Sequence, residues 1–130
     1  YTYPDEAAES AACDKIWDEL WLRFMPEIDW SGFEAARVSG WHRKPHIFSV
    51  PFYYIEYGMA QIGALQIWQN AIQNEETAVA SYRKALALGG TQTLPDLFSA
   101  AGADFRFDTT LLTELVSSIE QIVSVLEESV

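Results

Sequence analysis

Two histidines four residues apart, His42 and His46, and two tyrosines four apart, Tyr53 and Tyr57, are the residues whose types and spacing suit chemistry. The histidine pair has the spacing that zinc peptidases use on a helix, where a glutamate directly after the first histidine acts as general base. Here Arg43 holds that position and Pro45 breaks a helix between the two rings, so the pair is not read as a metal site. Tyrosines four apart share one helix face. Their phenols stay protonated at neutral pH, with a reference pKa of about 10, and in a dry site they donate hydrogen bonds to a developing oxyanion. A loop histidine does the same, which groups His46 with Tyr53 and Tyr57. Tyr54, about 100° round the helix from Tyr53, is read as packing or as the lining of a pocket. The plainer reading is a pair of core tyrosines with satisfied hydroxyls and a histidine that pins its loop; residue types alone leave both open. Glu56 has no basic residue four positions away on either side and is not assigned a catalytic role.

These residues stand at the front of the longest apolar stretch, HIFSVPFYYIEYGMAQIGALQIW, residues 46–68. Pro45 and Pro51 disfavour helix at Lys44 and Val50, so 41–50 reads as an ordered loop, basic and aromatic in an acidic chain. Pro51 suits a first helical turn, with Ser49 before it as a cap, and the next proline is Pro95. The pattern predicts one helix over about 51–73, roughly 34 Å long. Its polar positions (Glu56, Gln61, Gln66, Gln69, Asn70) gather on no clear face, as in a buried helix. Gly58 and Gly63 each cost about 1 kcal/mol against alanine in a helix, so packing or a ligand needs the space.

The other elements are helical as well. A first helix is expected from Thr2 to Pro4 onward, capped by Thr2 and stopped at Pro26, with Ile16, Leu20 and Phe24 beside Trp17 and Trp21 as its apolar face. Ser31 and Glu34 match a capping box for a short helix ending near Ser39 and Gly40. Asn74 caps a helix with Val79, Tyr82, Leu86 and Leu88 as its contacts, ended by Gly89 and Gly90. Thr93, Pro95 and Asp96 open a short helix closed at Gly102. Asp108 caps the last, where Leu111, Leu112, Leu115, Ile119, Ile122, Val123 and Leu126 recur at three and four. No strand-like alternation appears. The expected fold is all-α, about six helices packed in a single domain around a long buried central helix at about 51–73.

Composition narrows the partners. With 8 basic and 19 acidic residues the net charge is −11, which speaks against nucleic acid and anionic membrane. No uncharged apolar run of about 18 residues is present for a membrane span. The lone Cys13 admits no internal disulfide and fits a reducing, cytoplasmic compartment. The sequence opens at Tyr1 rather than methionine, as a processed chain or a segment of a longer one would.

The strings WHRKPHIFSVPFYYIEYGMAQIGALQIW and SYRKALALGGTQTLPDLFSAAGADF resemble the C-terminal part of the oligoendopeptidase F family of zinc metallopeptidases, relatives of thimet oligopeptidase. The shared features are a proline-histidine loop, a helix start with paired tyrosines, and a Y...L..GG....P.LF..AG pattern, densest over residues 41–105. The resemblance implies the last portion of a longer helical enzyme. The HExxH helix and the further glutamate that bind zinc would then lie upstream, so this chain contributes no metal ligand and is expected to be inactive alone. It also implies that His46 and Tyr57 hydrogen-bond the tetrahedral intermediate, with His46, Tyr53, Tyr54 and Tyr57 binding an oligopeptide substrate. The loop is about one residue longer than in some members, so either Tyr53 or Tyr54 takes the first position. Implied partners are the oligopeptide and the upstream catalytic part, with self-association expected of the isolated segment. From a different class comes the alternative of a free-standing helical binding or scaffolding module without catalysis.

Overall fold

The computed structural model describes residues 4–129. Among them the backbone forms eight α-helices and no strand: α1 (Pro4–Ala7), α2 (Ser10–Phe24), α3 (Glu34–Val38), α4 (Pro45–Ser49), α5 (Ile55–Gln73), α6 (Glu75–Leu88), α7 (Leu94–Ala100) and α8 (Thr109–Glu127). Single 3₁₀ segments cover Ser39–Arg43 and Gly89–Thr91. The all-α expectation is met. The chain divides into two compact units, Tyr1–Tyr54 and Ile55–Val130.

In the first unit the expected Thr2 cap lies outside the described residues. Two helices replace the one expected up to Pro26: Ala8 and Glu9 form a turn, and Glu9, extended at φ −88° and ψ 123°, starts α2 afresh. Pro26 does stop α2, with Met25 before it at φ −134°. The apolar face expected of α2 is met only in part. Ile16, Leu20 and Phe24 are exposed, whereas Trp17 and Trp21 turn inward. Polar pairing sets that register: Asp18 accepts from Arg37 Nε at 2.6 Å, and Asp14 accepts from Trp41 Nε1 at 2.7 Å. Both bonds draw α2 against residues 34–43. Ser31 opens no helix, because its N–H and hydroxyl both donate to Asp29, which holds that carboxyl below its ordinary value. Helix α3 starts at Glu34 instead.

The second unit is built on α5, and two features of the expected central rod change. The helix begins at Ile55, not near residue 51, because Phe52 sits in the left-handed region at φ 67° and Pro51–Tyr54 form a turn. The rod is also buried on one side only, with Gly63 and Gln66 buried and Ile55, Tyr57, Trp68 and Ile72 exposed. Its amides, scattered by eye, share a purpose. Gln66 Nε2 donates to the Asp104 carbonyl at 3.0 Å, and the Asp104 N–H donates back to Gln66 Oε1 at 2.8 Å. One turn on, Asn70 Nδ2 donates to the Gly102 carbonyl at 2.7 Å. Together they hold the segment after α7 along α5, as residues four apart on a helix can.

Helices α6 and α7 pack beside α5 through small side chains. Ala78 and Ala85 are the buried residues of α6, while Val79, Tyr82 and Leu86, expected as contacts, stay exposed. At Gly63 a Cβ would stand 2.8 Å from the Phe98 ring, so glycine is what admits that ring to α5. Phe98 in turn meets Phe105 edge-on at 5.1 Å. An apolar groove of about 350 Å³ runs past Ala60, Gly63, Ala64 and Ala85. Two caps fall where the sequence placed them, Asn74 accepting from Thr77 N–H at 3.0 Å and Asp108 from Leu111 N–H at 3.0 Å, whereas Ser49 caps no helix because α5 starts at Ile55. Leu115, 2% exposed, and Leu111 bury the first half of α8. By length and composition alone α8 is apolar enough to cross a membrane, and 11% of that stretch is buried; Glu114 and Glu120 interrupt it.

Two outcomes follow from these contacts. Gln66→Leu keeps the volume but strands both main-chain groups of Asp104, and is expected to destabilise the second unit by about 1–3 kcal/mol, read from urea unfolding with hydrogen exchange at the Asp104 amide. Asp108 is drawn down from 3.8 to about 2, first by the Arg106 guanidinium at 2.8 Å and next by the Leu111 N–H. Because the folded value is the lower one, its stabilisation is complete above the ordinary aspartate value and fades as pH falls toward about 2. Asp108→Asn retains a capping oxygen, so the stability gap between wild type and variant should close over that acid range in circular dichroism titrations.

Candidate functional site

The segment from Trp41 to Tyr54 is positioned by α2. Trp41, fixed to Asp14, stacks on Phe48 at 5.5 Å and 27° and meets His42 edge-on at 4.1 Å. Gly40 lies so close to α2 that a Cβ there would stand 2.7 Å from Trp17 Nε1. The 3₁₀ segment therefore seats directly on the Trp17 ring. Lys44 follows at φ −110° and ψ 81°, outside the helical region from which a following proline excludes it, and Pro45 takes the first position of α4. The expected loop 41–50 thus contains the last turn of the 3₁₀ segment and the whole of α4. His42 and His46 fall on different elements with non-helical Lys44 between them, so their spacing of four is not one helical turn.

His46 stands in the first turn of α4, half-buried. Its imidazole stacks on the Tyr53 ring at 5.6 Å and 17° and faces the Tyr54 ring at 5.7 Å and 59°. The structure brings these three together in the first unit. It does so through the turn after Val50, where Tyr53 N–H donates to the Val50 carbonyl at 3.1 Å, and not through a helix face. Helical register does not reach back to Tyr53, so the expected sharing of one face by Tyr53 and Tyr57 is not realised. Tyr57 belongs to the first turn of α5 in the second unit and is 54% exposed.

Sequence reasoning passed over a cleft next to this ring cluster. Trp17, Leu20, Trp21, Phe24, Met25, Lys44 and Tyr54 line a cavity of about 240 Å³. Trp17 and Trp21 looked like simple packing residues; the signal that set Lys44 apart was the basic, aromatic character of 41–50 in an acidic chain. Trp21 is braced from behind by Trp30, edge-on at 5.2 Å. Among the described residues no group of three or more His, Cys, Asp or Glu side chains is placed to hold a metal ion. What the arrangement offers chemically is hydrogen-bond donation, from one imidazole and neighbouring phenols beside an apolar cleft with a single ammonium.

Comparison with known proteins gives these residues a context. The model of Peptidase family M3 matches residues 1–117. An oligoendopeptidase F homolog from Borreliella burgdorferi is 33% identical over 69 residues, which cover 53% of this chain and 12% of that relative. No solved structure shows a significant match.

The close seating of Gly40 yields a direct check. Gly40→Val drives a side chain into the Trp17 ring and is expected to cost about 1–3 kcal/mol in stability. The same variant should shift the tryptophan emission of the native state; unchanged stability and emission would mean that the 3₁₀ segment does not rest on Trp17.

Proposed function

This chain belongs to peptidase family M3, and from that premise we propose that it is the substrate-binding segment of a zinc-dependent oligoendopeptidase that cleaves internal bonds of short peptides. The observation that carries the proposal is the family match across the whole of His46–Tyr57, with support from the stacking of His46 on Tyr53 and Tyr54. The matched stretch is 12% of the length of the curated relative, so the activity belongs to a larger protein of which these residues form a part. Zinc is assigned to residues outside this chain, whose own side chains do not assemble a metal site among the described residues. Bound there, it would supply a Lewis acid for amide hydrolysis.

The chain's own contribution is hydrogen bonding. His46 and Tyr57 each donate to the oxygen of the scissile carbonyl as it takes up negative charge, and Tyr53 and Tyr54 contact the peptide beside it. Donors of this kind act on charge that exists only in the transition state, so their loss lowers kcat more than it raises KM. Compartment and partners follow the same reading: a cytoplasmic enzyme whose remaining residues cover part of this surface. Many large apolar side chains are exposed, among them Phe52, Ile55, Leu86 and Leu126, and patches of this kind usually find a partner.

In the full-length enzyme, Tyr57→Phe is expected to lower kcat by about 10²–10³-fold while zinc content stays at wild-type level. An unchanged kcat would remove Tyr57 from the chemistry. The 130-residue chain alone should neither cleave a quenched oligopeptide nor bind zinc, and should self-associate in sedimentation velocity. Cleavage by the isolated chain would reverse the assignment of the metal to other residues.

A further inference from the structure

We propose that the cleft beside Lys44 holds the C-terminal residue of an oligopeptide, its apolar side chain among Trp17, Trp21 and Tyr54 and its free carboxylate on the Lys44 ammonium. This deepens the substrate-binding role proposed above and rests on it. Three observations carry it. The first is size and lining: the cavity is about 240 Å³ and lined by aromatic and aliphatic side chains apart from Lys44, and a cavity of roughly 150 Å³ already holds benzene. A phenylalanine or leucine side chain therefore fits with room for main chain.

The second is charge. Lys44 is half-buried, and among the described residues no carboxylate stands within ion-pairing distance of its amine. The two acids of α2 that face this segment are occupied, Asp18 by Arg37 and Asp14 by the Trp41 indole. In a chain of net charge −11 an ammonium left unneutralised beside an apolar cleft is a place for a ligand's negative charge. Arg43 next to it adds to the positive potential. The third is location. Tyr54 forms part of the cleft wall and its ring also faces His46 at 5.7 Å, so the cleft and the proposed donor share a wall residue and the terminal residue is held on the donor's side of the first unit.

A peptide presents an apolar side chain and a carboxylate on one carbon only at its C-terminus. A fatty acid shares the chemistry in outline, with a longer tail, and the test separates the two. The intact 130-residue chain is titrated, with tryptophan emission as the readout, with Ala-Ala-Phe as free acid, Ala-Ala-Phe amide, Ala-Ala-Asp and decanoate. Expected is saturable binding of the free acid with the amide about tenfold weaker, the worth of one charge-assisted hydrogen bond, and Ala-Ala-Asp weaker than either. Lys44→Gln should bring acid and amide to the same affinity while leaving the amide's unchanged. Equal affinities for acid and amide in wild type, a preference that survives Lys44→Gln, tighter binding of decanoate than of the peptide acid, or no binding would each overturn the proposal. These results are independent of the Tyr57→Phe measurement. Loss of the acid preference with a kcat that still depends on Tyr57 would end the C-terminal pocket and keep the peptidase role. The converse would keep the pocket and end that role.

Discussion

The geometry of the candidate site depends on a steric rule acting twice. A residue before proline is kept out of the helical region, and Pro45 and Pro51 impose that on Lys44 and Val50, which adopt ψ 81° and 77°. Between these two non-helical residues only five can be helical, which is the length of α4. His46 therefore sits in an isolated turn and a half of helix, α4. Its direction comes instead from the Trp41–Phe48 stack and from the bond between Trp41 and Asp14. Prolines set where the segment bends, and α2 sets where it points.

The second unit solves a different problem by a related economy. A helix that approaches others through glycine and alanine leaves little side-chain volume for specificity. Here polar groups supply it. Gln66 pairs with both main-chain groups of Asp104 in the way a neighbouring strand would, and Asn70 adds a bond at Gly102. The Phe98 ring then fills the space over Gly63. Packing and hydrogen bonding thus select the same register of the segment after α7.

What the sequence showed, and what it hid, divides along the range of the forces involved. Stops and caps are local, and Pro26, Asn74, Gly89 and Asp108 act where they were read. Which face of a helix is buried depends on partners distant in sequence. Arg37 and Trp41 turned α2 toward Asp14 and Asp18, against its aliphatic spacing. Ala78 and Ala85 are buried in α6 where larger residues were expected. The site followed the same division: residue type grouped His46 with Tyr53 and Tyr57 and left Tyr54 as packing or pocket lining, whereas the His46 ring lies against those of Tyr53 and Tyr54. The route by which they meet, a turn with a left-handed residue, has no signature in a Pro-Phe-Tyr-Tyr string. Lys44 was legible only as one of the basic residues of 41–50, because the engagement of Asp14 and Asp18 by Trp41 and Arg37 is not readable from spacing.

That turn has a consequence for how the sequence can drift. Phe52 occupies a backbone conformation that costs an L residue about 1–2 kcal/mol and glycine almost nothing, and its ring is 71% exposed. Backbone strain alone would favour glycine or asparagine there. A lineage that keeps an aromatic ring at this position is keeping what the ring contacts in spite of that strain, so the identity of residue 52 in related chains records whether those contacts are still in use.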